Sequence, residues 1–136
     1  MVRNEISEKN KYHLPKHRYL ELKHFCLQYN DLYKEMQNVS LLSPVEFQEV
    51  YSIGSHSDPT AALARYLERL GGRMFPIHEA LEKTVEDQYI KECLFDAVTN
   101  GLSYEQINAQ KQVPCCREVY YDLYRKFFWH LDKSRY

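Results

Sequence analysis

The sequence is sparing with residues that break or staple a chain. Glycine occurs four times, proline five and cysteine four in 136 residues. That leaves too little punctuation for a fold of many short strands, and too few thiols for a disulfide-held scaffold. Long apolar runs are missing too: none approaches the roughly 20 residues that span a bilayer, and residues 1–18 are mostly polar, so neither a membrane helix nor a secretory leader is read. Cys26, Cys93, Cys115 and Cys116 are accordingly expected as free thiols in a reducing cytoplasm. Nor is there an excess charge of one sign. Lys and Arg number 18 against 19 Asp and Glu, a net charge of −1, which excludes a uniformly basic nucleic-acid coat.

What is present is core-forming material, 44% apolar and 14% aromatic residues, enough for a folded chain of this length to bury a core of its own. The charge is uneven. Residues 1–30 carry six basic against three acidic groups, residues 31–100 six against twelve and residues 101–136 six against four, giving +3, −6 and +2. An anionic partner is therefore expected at an end of the chain. The basic start (Arg3, Lys9, Lys11, Lys16, Arg18 and Lys23 among Tyr12, His13, His17 and Tyr19) reads as a solvated face, with a second nucleic-acid contact as the sharper alternative.

Periodicity is helical throughout. From Pro15, the residues Leu22, Phe25, Cys26, Tyr29, Leu32, Tyr33 and Met36 recur at spacings of three and four and predict one helix of about 22 residues. Ser43-Pro44 starts a short helix to about Tyr51, with Ser43 as N-cap. "SIGSHSD" reads as a loop, its Ser55, His56 and Asp58 being a polar turn that ends in the Asp58 N-cap and no acyl-transfer triad. From Asp58-Pro59, the series Leu63, Leu67, Leu70, Met74, Ile77 and Leu81 keeps spacings of 4, 3, 4, 3 and 4, a heptad seam. It crosses Gly71-Gly72 and Pro76 in phase. One bent helix and two helices broken at the glycines both remain open. Tyr89, Ile90, Cys93, Leu94, Ala97 and Val98 then form a stripe that ends at Asn100-Gly101, a C-cap signal. Ser103 with Gln106 three residues on is a capping box opening a short helix. After "KQVP" comes a last helix, whose expected buried stripe is Val119, Tyr120, Leu123, Tyr124, Phe127, Phe128 and Leu131.

The fold class expected is all-α, a helical bundle with a C-terminal helix-turn-helix. Residues 1–57 form an N-terminal helical scaffold, and residues 58–136 supply the long helix and the helix-turn-helix, the whole making one compact unit. The last three helices, about 14, 7 and 18 residues long with short connections, have the dimensions of that motif. Its last helix would turn Arg117, Glu118, Tyr121, Asp122, Arg125 and Lys126 outward. Arg117 is placed for a guanine edge, Glu118 for cytosine N4, and Arg125 and Lys126 for phosphates, while Gln110, Lys111 and Gln112 in the turn reach backbone oxygens. The candidate DNA-binding residues are thus Gln110, Lys111, Gln112, Arg117, Glu118, Tyr121, Arg125 and Lys126. Trp129 is read either as buried under the N-terminal helix or as part of a partner-binding patch.

The pattern "GLSYEQIN…VPCCREVYYDLYRKFF" resembles the C-terminal helix-turn-helix of sigma-factor region 4 and of phage-encoded RinA/ArpU-type late-gene transcriptional regulators. "YHLPKHRYLELKHFCLQY", "SDPTAALA" and "VPCCREVYYDLYRKFFW" are similar to small proteins of phages and prophages of low-GC Gram-positive bacteria. The resemblance implies a phage or prophage regulator in the cytoplasm of a bacterial host, binding double-stranded DNA, with RNA polymerase or another host protein as a further partner. The family's usual Ser or Thr after the turn is replaced here by Cys115 or Cys116, a weaker cap. A homodimer would double the thin electrostatic footprint. An alternative is a non-enzymatic phage accessory protein that binds a host complex, polymerase or a defence nuclease.

Other chemistry finds little footing. Adjacent cysteines make a strained disulfide and lack C-x-x-C spacing. His24 and Cys26, two apart on a helix, point to opposing sides with no second ligand pair. No phosphate loop, catalytic dyad or cofactor motif is present, so no enzyme, no metal and no cofactor is expected.

Overall fold

The computed structural model describes residues 11–51 and 58–135, all of whose regular structure is α-helix. The expected loop over residues 52–57, and Arg3 and Lys9 of the basic start, lie outside the described residues. The elements are α1 (Lys16–Leu27), α2 (Tyr29–Ser40), α3 (Pro44–Tyr51), α4 (Pro59–Thr84), α5 (Gln88–Asn100), α6 (Tyr104–Lys111) and α7 (Arg117–Arg135). The chain groups into two units, one taking residues up to Gln28 and from Pro76 on, the other Tyr29–Phe75. The dividing points are not the expected boundary at residue 57. The reason is the apolar stripe of α1, which packs on α5 and α7 and so joins the beginning of the chain to its end.

The first helix is shorter than expected, ending at Leu27. The run expected to continue from Pro15 through Met36 is interrupted at Gln28, whose N–H bonds to the carbonyl of Phe25, three residues back, at 3.2 Å. Tyr19, Leu22, Phe25 and Cys26 are buried in α1, while Tyr29, Leu32 and Val39 are buried in α2. Tyr33, expected in the stripe, is 47% exposed, its ring stacked on Tyr29 at 6.3 Å. Neither Gly nor Pro marks the break, and the stripe stays in phase across it.

In α4 the two open readings resolve in favour of continuity. The helix runs unbroken past Gly71, Gly72 and Pro76. Proline removes the N–H that would bond to residue 72, and its ring crowds that carbonyl. Glycine at that very position has no Cβ, and space around it is open, which gives the backbone room to accommodate the ring. The seam is unevenly covered: Leu70, Met74, Ile77 and Leu81 are buried, and Leu63 and Leu67 are half-buried.

In the Tyr29–Phe75 unit, Phe47 is the anchor at 2% exposure, with the rings of Tyr51 and Tyr66 at 4.8 and 5.4 Å. Tyr66 donates to Glu35 Oε1 at 2.6 Å and Tyr51 to the same oxygen at 3.3 Å, so the polar tips are satisfied while the rings bury apolar area. The expected caps are present. Ser43 and Glu46 exchange side-chain and backbone bonds at 3.1 Å, and Asp58 Oδ1 accepts from the N–H of Thr60 at 3.0 Å.

In the other unit, α1 meets α7 through aromatic rings. Tyr19 and Tyr124 share a hydrogen bond between hydroxyls at 2.7 Å, and the Tyr19 ring stands edge-on to Phe128 at 5.2 Å. Arg18 pairs with Asp132 at 2.5 Å, and the Arg135 guanidinium lies 3.9 Å above the Phe25 ring. Trp129 is half-buried, with Tyr12 edge-on at 5.5 Å and the Lys133 ammonium 4.3 Å over its face. It is thus partly covered by the segment preceding α1.

His130, half-buried on α7, has its pKa lowered from the ordinary 6.5, first by desolvation and then by Lys126, Lys83 and Lys133. A depressed histidine stays neutral in the folded state where the unfolded chain already binds a proton, so its contribution is complete above pH 6.5 and shrinks as pH falls through the two pKa values. The melting temperature is expected to drop between pH 7.5 and 5.5, and the drop should be smaller in His130→Gln. Identical pH profiles in a calorimeter would contradict this.

Candidate nucleic-acid interface

The candidate surface is built by the two connections joining α5, α6 and α7. α5 stops where Gly101 adopts a left-handed conformation at φ 67°, and the N–H of Leu102 folds back to the carbonyl of Ala97 at 2.9 Å. α6 starts at once, because Ser103 and Gln106 form the expected capping box. It ends at Gln112, a non-glycine residue at φ 55°. That costs of order 1 kcal/mol or more, and it is offset by two bonds to Asn108: Gln112 N–H to its carbonyl at 2.8 Å, and Val113 N–H to its side-chain oxygen at 2.9 Å. Val113 is buried beneath the turn, and Tyr104 ties the turn down by donating to the carbonyl of Cys115 at 2.9 Å. Tyr89 donates to the carbonyl of Lys111. A short turn held at this many points aims the start of α7.

On α7 the buried side comprises Tyr120, Tyr121, Tyr124, Phe127, Phe128 and Leu131. Two assignments from periodicity are corrected. Tyr121, expected to face outward among the DNA-binding residues, is 5% exposed, and Val119, expected in the core, is 47% exposed. The cause lies in the phenol. Tyr121 Oη accepts the first backbone N–H of α6, that of Tyr104, at 3.1 Å, and its ring sits 5.2 and 5.6 Å from Tyr120 and Tyr124. Leu123, also expected inside, is half-buried.

The remaining candidates lie outside the core. Gln110, Gln112, Arg117 and Glu118 are exposed, and Lys111, Arg125 and Lys126 are half-buried. Three of the four cations already have carboxylate partners. Arg117 meets Glu105 at 3.2 Å, Lys111 meets Asp96 at 2.5 Å and Arg125 meets Asp122 at 2.9 Å. The hydrogen bond that Lys111 donates to Asp96 holds the Lys111 pKa above its ordinary value. Lys126 has no ion pair among the described residues. Sequence reasoning missed Glu105 and Asp96, which neutralise cations from a neighbouring helix. Only the capping-box register of α6 hinted that Glu105 points outward.

The thiols of Cys26, Cys93 and Cys115 are not activated. Burial raises the pKa of Cys26, Cys93 and Cys115, with Cys116 and Cys93 adding to the rise at Cys115. All four cysteines are free, and no group of three metal-ligating side chains occurs among the described residues. No described helix is long and apolar enough to cross a membrane.

Compared with protein-family models, with curated proteins and with solved structures, the chain has no match.

Proposed function

We propose that this chain is a phage or prophage transcriptional regulator that contacts double-stranded DNA through a helix-turn-helix formed by α5, α6 and α7. One observation carries the reading: the first turn of α7 stands out of the core at Arg117, Glu118 and Val119, while Tyr120 and Tyr121 beside it anchor the helix. Entry of a helix into a major groove needs that combination of a protruding N-terminal turn and a rigid back. The resemblance of residues 101–128 to RinA/ArpU-type regulators supports the same assignment. In this scheme Arg117 leaves Glu105 for a guanine edge, Gln110, Gln112 and Lys126 hold phosphates, and Tyr121 acts only by fixing α7 to the start of α6. Since most of the cations are already paired, a homodimer or RNA polymerase supplies the rest of the affinity.

The test is selection of bound duplexes from a random library, followed by fluorescence anisotropy across a salt series. Arg117→Ala should weaken binding to the selected site by about tenfold or more, a bidentate base contact being worth roughly 1–3 kcal/mol. Lys126→Ala should weaken all duplexes alike and flatten the salt dependence. Failure to enrich any sequence, together with unchanged affinity in both variants, would remove the DNA reading.

The paired cations and the exposed apolar Val119 and Tyr89 favour a second reading, a non-enzymatic accessory protein docking on a host complex. A stoichiometric partner retained after nuclease treatment would favour it over DNA.

A further inference from the structure

We propose that the α1–α5–α6–α7 unit carries a binding site for a small aromatic anion, a one-ring carboxylate or phosphate ester, in the cavity beside the α5–α6 turn. The cavity holds about 250 Å³, just below the size of sites for drug-like ligands and suited to a single ring with a charged substituent. Leu102, Tyr124 and Phe128 are among its lining residues, the first an aliphatic side chain and the other two aromatic.

The polar side chains that line it can each donate. Lys23 lines the cavity, is half-buried and has no carboxylate partner among the described residues. Tyr121 uses its oxygen to accept from Tyr104 and keeps its own proton to give. Gln106 uses its side-chain oxygen on the N–H of Ser103, which turns its NH₂ to other acceptors. Ser103 accepts from Gln106 and likewise retains a hydroxyl proton. No Asp or Glu lines the cavity. One ammonium and three neutral donors around an aromatic wall, with no acceptor charge to answer them, are complementary to a planar anion.

The site stands whether or not α7 touches DNA, and its test does not use DNA. The ¹⁵N-labelled full chain is titrated with benzoate, phenyl phosphate, inorganic phosphate and benzyl alcohol, reading the amides of Gly101, Leu102 and Ser103. Benzoate or phenyl phosphate should shift them saturably, the tighter of the two telling whether a carboxylate or a phosphate ester is preferred. Benzyl alcohol should bind at least about tenfold more weakly, as should benzoate to Lys23→Ala, one charge-assisted hydrogen bond being worth about that factor or more. Lys23→Arg should recover most of the loss. Absence of saturable shifts from both aromatic anions overturns the proposal. So does equal affinity for benzyl alcohol, an equal response to inorganic phosphate alone, or unchanged binding in Lys23→Ala with a native spectrum.

Discussion

Phe127→Ala and Tyr121→Ala are each expected to lower stability by about 3–5 kcal/mol, while Val119→Ala, on the same helix, changes it by less than about 0.5 kcal/mol. Phe127 is fully buried, 5.0 Å from the Phe128 ring, so truncation leaves a cavity that neighbouring aromatics cannot collapse to fill. At Tyr121 the loss is double: a buried ring, and the acceptor of the Tyr104 N–H at the start of α6. Tyr121→Phe separates the two, retaining the ring and giving up about 1 kcal/mol for the bond. Thermal melts of the four variants check the series, Phe127→Ala falling by roughly 10 °C or more. A larger loss for Val119→Ala than for Tyr121→Ala would mean that α7 is rotated from the orientation described.

Gly101→Val should be the next most damaging change, at about 2–3 kcal/mol. Its φ of 67° is a region that β-branched residues rarely enter, and an added Cβ would stand 3.2 Å from Leu27 Cδ2. Gly101→Ala meets the same contact with less strain and should lose about 1–2 kcal/mol. Gly101→Asn, which tolerates the left-handed conformation, should lose less than Ala. If Asn and Val were equally destabilising, crowding against Leu27 would outweigh the backbone. These losses are read by urea titration of the full chain.

What could be read from the residues was mostly local. Ser43 with Glu46, Ser103 with Gln106, Asp58 with Thr60 and the Asn100-Gly101 stop each involve partners two to four residues apart, so the chain announces them without help from tertiary structure. The all-helical class belongs with them, and so does the heptad spacing along α4, but not its continuity, because Gly71-Gly72 and Pro76 are local breakers that left a broken helix equally open. The interruption at Gln28 was invisible because both halves share a phase. The choice between them was made by what covers each, α1 lying on α5 and α7. The rotation of α7 was not legible because Tyr121 is held inside by the backbone N–H of Tyr104, 17 residues away, which its phenol oxygen accepts. The ion pairs of Arg117 and Lys111 join side chains 12 and 15 residues apart, a distance no helical period encodes. They matter most to the candidate surface, because they decide how much positive charge it has left to offer.

The hydroxyl bond between Tyr19 and Tyr124 spans 105 residues of sequence, and this has a consequence for biosynthesis. At translation rates of about 5–20 residues per second, α1 leaves the ribosome roughly 5 to 20 s before the helix that will cover it. For that interval Leu22, Phe25 and Cys26 have no native neighbours from the far end of the chain. Such a nascent segment is a natural client for a holding chaperone, and truncation before α7 would leave it in that exposed condition permanently.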